Sequence, residues 1–293
     1  MRSAVADVGG TNTRMAYAQG GVLVADTVNW FRNDDYPAFA DVLDDFRQGA
    51  AVDRLCVAIA GPVMPGHVRL TNRDWSFDAD QLGAALGGAA VRIINDLAAV
   101  GHALPYLSGD AVVPVVAGRA APGGQALVVG LGTGFNVSVA HGSGVMLAEE
   151  GHTGLPIGVY RVLQAHLGDK AAAFETVEQV FAGAGLRALH RALGGAEMPS
   201  QQIVEQADAT MAVYVQALAA LCRDMTFQFM PLGGIYFNGG LARAVVGLPD
   251  TGNVLAAARV RDMFEGTLSD IPMWCVTDDA AALAGCAACL DQV

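Results

Sequence analysis

Residues Ser3 to Arg14 read Ser-Ala-Val-Ala-Asp-Val-Gly-Gly-Thr-Asn-Thr-Arg: an apolar run closing on the carboxylate of Asp7, a turn through Gly9 and Gly10, and the start of a second run. The two glycines allow the backbone N–H groups of Gly9, Gly10, Thr11 and Asn12 to approach an anion, with Asp7 beside them. Taken alone, this stretch reads equally well as an ordinary hairpin turn. Ser3–Val8 is predicted as a buried strand and Thr13–Ala18 as a second. Val22–Trp30 is predicted as a third, entered through a tight turn at Gly20-Gly21.

The same device recurs further along. Ala126–Gly130 is an apolar run, Gly132-Thr133-Gly134 a turn, and Phe135–Ala140 a second run, so the pattern reads as an internal duplication. It predicts two similar α/β halves facing each other across a cleft. Between the copies, Phe39, Val42, Leu43 and Phe46 recur at helical spacing, Leu55–Ala60 and Val91–Ile94 read as strands, and Asp78 with Gln81 resembles a helix capping box. The later chain predicts helices over Ile157–Leu167, Val177–Leu193 with a glycine break, and Ala209–Met230. Strands are predicted at Gly233–Gly240 and Ile271–Val276, with a small-residue helix over Asp278–Leu290 suited to packing against the first half. The stripe of Met211, Val215, Leu218, Cys222, Met225 and Phe229 is explained by core packing.

The 293 residues are 53% hydrophobic, enough for a substantial core, yet no apolar run reaches the roughly 18 residues of a membrane span. Met1–Gly10 enters a strand directly, with no signal-peptide pattern, so a cytoplasmic location is expected. Seventeen basic against 29 acidic residues give a net charge of −12 without a basic patch, which argues against nucleic-acid and membrane partners. The five cysteines are dispersed. Cys286 and Cys289 form the one C-x-x-C, and its Ala-rich surroundings favour reduced, buried thiols over a redox pair or zinc site. With few cations, an anionic nucleotide such as ATP would be held by backbone N–H groups and Mg2+. Neither Walker-type nor dinucleotide glycine spacing is present. The two glycine loops with the Gly239-Gly240 pair instead outline a nucleotide cleft, and Asp7 would hold Mg2+ through water.

At Asp7-Val8-Gly9-Gly10-Thr11-Asn12-Thr13-Arg14 the chain resembles the bacterial glucokinases, within the sugar kinases and actin-like ATPases built from paired ribonuclease-H-like domains. The resemblance continues in family order through AIAGPV, LTNRDW, IINDLAAV, GTG, EEGH, VEQVFAGAGL and GGIYFNGG. It implies an α/β fold of two such domains, with mixed sheets flanked by helices. A small domain would cover 1–105, completed by a C-terminal helix at 278–293, and a large one 106–277. It also implies an ATP- and Mg2+-dependent hexose kinase, commonly a homodimer, that converts glucose to glucose 6-phosphate. Asp96 would take the proton of the attacking hydroxyl. Asn95, Glu149, His152 and Glu178 would bind the sugar, and Gly9, Gly10, Thr11, Asn12, Gly132, Thr133, Gly134, Gly239 and Gly240 the nucleotide.

Each residue also has a plainer reading: Asp96 as a helix cap, the glutamates as surface groups. The chain departs from the family where Phe135-Asn136 follows Gly134 and where Thr-Gly-Leu follows His152. Asn136, standing where relatives carry Gly, is expected in left-handed backbone, with Asn136→Gly relieving strain and improving ATP use. A kinase for another hexose, or a catalytically silent sugar-binding regulator of the same fold, are the alternatives.

Overall fold

The computed structural model describes residues 2–61, 63, 68–70, 73–259 and 264–291. Pro62 of the AIAGPV motif and Thr71 and Asn72 of LTNRDW lie outside the described residues. So do the last two residues of the predicted C-terminal helix.

The chain divides into two compact units, one of residues 1–107, 143–145 and 279–293, the other of 108–142 and 146–278. In the first, β1 (Ser3–Val8) and β2 (Asn12–Gln19) form an antiparallel hairpin that pairs Asp7 with Arg14. The expected third strand is interrupted. It splits into β3 (Val22–Leu23) and β4 (Asn29–Arg32), both antiparallel to β2, around a 3-10 turn at Ala25–Thr27. The reason is local: the Thr27 hydroxyl accepts the Tyr17 N–H at 2.9 Å and donates to Val24 O at 2.6 Å, replacing ladder bonds with side-chain ones.

Helix α1 (Phe39–Arg47) buries Phe39, Val42, Leu43 and Phe46, the four residues at helical spacing. Strand β5 (Arg54–Ile59) joins β1 in parallel; β6 (Val68–Arg69) and β7 (Ser76–Phe77) form a small separate ribbon. Helix α2 (Ala79–Ala85) starts where Asp78 accepts the Gln81 N–H, and β8 (Ala90–Asn95), parallel to β5, leads into α3 (Asp96–Ala103).

The second unit repeats this arrangement. Its strands are β9 (Val112–Val116), β10 (Ala126–Leu131), β11 (Phe135–His141), β12 (Gly144–Leu147), β13 (Gly234–Asn238) and β14 (Met273–Val276), in the order β12-β11-β10-β13-β14-β9. The β10–β11 hairpin is antiparallel while β10, β13 and β14 run parallel, matching β2-β1-β5-β8 of the first sheet. The doubled sheet is the duplication read in the sequence. Strand β9 was not expected. Its Pro114 suits it to the sheet edge it occupies, antiparallel to β14, because an edge strand can spare one N–H.

Helices α4 (Ile157–Leu167), α5 (Glu178–Phe181), α6 (Gly183–Ala192), α7 (Ser200–Gln206), α8 (Asp208–Phe229), α9 (Gly240–Val246) and α10 (Thr251–Ala257) complete this unit. Of the α8 stripe, Met211, Val215, Leu218, Cys222 and Met225 are buried and Phe229 partly so. The chain then returns to the first unit as α11 (Ala281–Asp291), which packs on α3, β1 and β5. A Cβ at Gly285 would sit 1.6 Å from Ala99 O, so only glycine permits this approach. All five cysteines are free and buried, Cys286 and Cys289 on α11 among them. No helix among the described residues is long and apolar enough to cross a membrane.

Candidate functional site

In the first unit, Asp7 lies at the C-terminal end of β1, where parallel strands of α/β sheets present ligand-binding groups. Its carboxylate is 3.5 Å from Arg14 Nη1, and Arg14 is held in turn by Asp279 O at 2.6 Å and by the Trp30 ring, 3.9 Å from the guanidinium carbon. Burial pushes the Asp7 carboxyl from 3.8 up to about 6, against the opposing pull of Arg14.

The Gly9–Asn12 turn is braced from behind. Gly9 N–H donates to Asn12 O at 3.0 Å, Asn33 Nδ2 donates to Gly9 O at 2.8 Å, and Asn33 N–H donates to Thr11 O at 2.9 Å. The Thr13 hydroxyl fixes the buried Asn33 amide through its Oδ1 at 2.8 Å. Arg73 Nε donates to Gly10 O at 3.3 Å and Nη1 to Asn33 O at 3.0 Å, while Asp34 anchors the guanidinium. Asn33 and Arg73 are functional candidates the sequence reading missed. Asn33 stands in no motif, and Arg73, though inside LTNRDW, carries no local signal that it reaches back to the turn.

Asn95 and Asp96 sit at the β8–α3 junction. Asn95 is the helix cap: its Oδ1 accepts the N–H of Leu97 at 2.9 Å and of Ala98 at 3.1 Å, and its Nδ2 donates to Gly61 O at 3.0 Å. Asp96 is the first helical residue, and its Oδ1 accepts the Leu97 N–H at 2.8 Å. The capping role weighed for Asp96 thus belongs chiefly to its neighbour, and the cap sets where the Asp96 carboxylate stands.

In the second unit Gly132 and Thr133 of the Gly132-Thr133-Gly134 loop line a cavity of about 600 Å³ together with Gly183, Arg187, Ser200 and Gly240. That volume lies within the usual range for small-molecule sites. Nothing lies within 4 Å of where a Cβ would stand at Gly132 or Gly240, so the protein's own packing does not demand glycine there. Gly239 differs: its φ is +107° and a Cβ would meet Leu131 O at 2.4 Å, so the β13–α9 turn itself requires glycine.

The remaining predicted residues meet at the exit of this loop. The Phe135 N–H donates to Glu178 Oε2 at 3.1 Å, and a Cβ on Gly134 would stand 3.0 Å from the same oxygen. Glu149 and His152 are exposed on one short turn, closed by His152 N–H to Glu149 O at 3.2 Å. Gly151 presses that turn on the loop exit, since a Cβ there would stand 2.3 Å from Phe135 O and 3.3 Å from Glu178 Cβ. Glu150, between them, is buried; burial pushes its carboxyl up and a bond from the Thr153 hydroxyl partly offsets this.

Two departures from the family pattern find physical reasons here. Phe135 is a core residue, its ring 5.8 Å from that of Phe181, which lies 5.5 Å from Tyr214. Asn136 is not in left-handed backbone: among the described residues only Gln48, Met230 and Asp250 combine a side chain with positive φ. The expected strain at Asn136, and the gain from Asn136→Gly, are therefore corrected. The residue lies in β11 opposite Gly130, and its Oδ1 accepts the Glu150 N–H at 3.0 Å.

A family model described as Glucokinase matches residues 4–293. A glucokinase of Cupriavidus pinatubonensis is 30% identical over 98% of this chain and 91% of its own length. A glucokinase from an Antarctic psychrotroph has a crystal structure that superposes with a TM-score of 0.84 at 25% identity, covering 100% of this chain and 99% of that one. A ROK family glucokinase from Streptomyces griseus, solved in complex with glucose and AMPPNP, shares the fold with a TM-score of 0.66 at 16% identity, over 98% of each chain.

Proposed function

The chain belongs to the glucokinase family, and on that premise we propose a residue-level account of an ATP-dependent glucose kinase. Glucose gives up a hydroxyl proton to Asp96 as the oxygen attacks the γ-phosphorus of ATP; the bond to the β-phosphate oxygen breaks, leaving glucose 6-phosphate and ADP. Two features favour Asp96 as the base. Its backbone position is set by the Asn95 cap, and a carboxylate can accept a proton that an amide cannot.

Asn95, Glu149, His152 and Glu178 pair with the sugar hydroxyls, each a donor and an acceptor, and so discriminate against analogues lacking one. Gly10, Thr11 and Asn12 present N–H groups to phosphate from the first unit, with Gly9 closing the turn through its own N–H bond to Asn12 O. Thr133 and Gly134 do so from the second, with Gly132 closing the loop through its N–H bond to Gly134 O and leaving space for the ligand, and Gly239 and Gly240 border the nucleoside's place. The two compact units correspond to the small and large domains of the family.

Mg2+ enters this reading as an ion borne by the nucleotide. Among the described residues no group of three or more His, Cys, Asp or Glu is arranged to hold a metal. A lone carboxylate such as Asp7 suits an ion that keeps its waters and takes further oxygens from phosphates. When bound, Mg2+ would neutralise charge on the phosphates; the chain's part is to orient them. We also take the enzyme to act as a cytoplasmic homodimer without nucleic-acid or membrane partners, which gel filtration and cell fractionation test.

The observation that carries the proposal is that one loop joins the cavity to Glu178. Gly132 and Thr133 line the cavity, and the residue leaving the loop, Phe135, donates its N–H to Glu178. A coupled assay of ADP release across a panel of hexoses with Mg-ATP tests it. Glucose is expected to give the highest kcat/KM; preference for another hexose would revise the substrate, and no sugar-dependent release would leave the silent regulator.

A further inference from the structure

We propose that Asn136 is a positioning residue, fastening the Glu149–His152 turn to the strand that leaves the Gly132–Gly134 loop so that sugar and nucleotide groups are set as one piece. The inference rests on the assignment of that turn to the sugar and that loop to the phosphates. It starts from the run of contacts after Thr133. Gly134 lies against the Glu178 carboxylate, the Phe135 N–H donates to it, and the Phe135 carbonyl abuts Gly151. These contacts are made or permitted by backbone atoms, so ordinary side-chain substitutions in the strand leave them in place. Asn136 adds the side-chain link: its Oδ1 accepts the N–H of Val137 at 2.8 Å and that of Glu150 at 3.0 Å.

The position of that link matters because Glu150 lies between the two residues assigned to the sugar. Glu150 is buried, so an N–H left without Oδ1 is poorly placed to recover a bond from water. Its turn is short, with His152 N–H bonded back to Glu149 O, so a shift at Glu150 moves both flanking side chains. In the other half of the duplicated fold the equivalent hairpin position is Arg14, opposite Asp7. There too the side chain ties the strand after a glycine turn to other parts of its unit, reaching Asp279 O and Trp30.

The test compares wild type with Asn136→Ala, which removes the acceptor, and Asn136→Asp, which keeps it. Steady-state kinetics in glucose and in Mg-ATP are combined with calorimetric glucose binding with and without Mg-AMPPNP, and with thermal midpoints. For Asn136→Ala, KM for glucose should rise about 5- to 30-fold, the scale expected for a buried N–H deprived of its partner, with KM for ATP changed less than threefold. Any tightening of glucose binding by Mg-AMPPNP in wild type should shrink in Asn136→Ala, and Asn136→Asp should restore the glucose KM to within about threefold of wild type.

A glucose KM within twofold of wild type in Asn136→Ala overturns the proposal. So does a rise in both KM values with a lowered thermal midpoint that Asn136→Asp does not repair, since that is general loosening. Absence of any sugar-dependent ADP release by wild type refutes the kinase reading instead, and is told apart by the wild-type control.

Discussion

Replacing Asp7 by Asn should make the metal-free protein more stable while disabling it. The Asp7 carboxyl is raised from 3.8 to about 6 chiefly by burial. A gap of about two pH units, at about 1.4 kcal/mol each, means that ionising Asp7 costs the folded state about 3 kcal/mol relative to the unfolded chain. Because the folded pKa is the higher one, the folded state holds the proton more tightly. The stabilising contribution is fully present below pH 3.8 and is lost as pH rises through about 6.

Asn at this position carries no such cost. The rise to about 6 already includes the pull of Arg14, so loss of that counter-ion adds no further cost. The net gain at pH 8 is therefore about 3 kcal/mol, or roughly 6–12 °C in Tm for a body of this size. Thermal unfolding of both proteins in EDTA between pH 4 and 8 reads this directly. The Tm difference should grow with pH in favour of Asp7→Asn, and Mg-AMPPNP should stabilise wild type much more than the variant. A difference independent of pH, or a variant less stable at pH 8, would refute the reasoning.

Gly132→Ala should leave the thermal midpoint nearly unchanged, because the added methyl meets nothing of the protein, yet weaken AMPPNP binding by tenfold or more through lost space for the ligand. Gly285→Ala should do the reverse, costing about 1–3 kcal/mol or more as α11 is forced from Ala99, with a lowered Tm by calorimetry. Glu149→Ala is expected to weaken glucose binding without affecting AMPPNP. Glu178→Ala should weaken both, because it also frees the Phe135 N–H beside Gly134; isothermal titration distinguishes the two patterns.

Much of the fold was legible because its strands are apolar runs closed by glycine turns, and because the pattern occurs twice. Helix α4 and the buried stripe of α8 were legible for the same reason, their period being carried by many residues. The helices that escaped, α7 and α10, have seven residues each, too short for a periodic signal to rise above chance. The break between β3 and β4 depends on one hydroxyl at Thr27, which sequence reads as an ordinary strand residue.

In the candidate site, the residues within motifs could be named from sequence, while those acting from a distance could not. Asn33 and Arg73 brace the first turn across 24 and 63 positions of chain. Asn136 follows a glycine loop closely enough in sequence for left-handed backbone to be the local expectation. The alternation of buried Phe135, Val137 and Val139 places it within a strand, where its side chain is free to make a bond.

The most direct test of the central claim is turnover by Asp96→Asn alongside wild type, with glucose and Mg-ATP saturating and binding of glucose and AMPPNP measured in parallel. Asn keeps the size and an acceptor oxygen for the Leu97 N–H but cannot serve as a base. The account predicts glucose-dependent ADP release by wild type, with kcat lowered by roughly 10²–10⁴ in the variant while both ligands still bind. A variant that turns over within tenfold of wild type would contradict it.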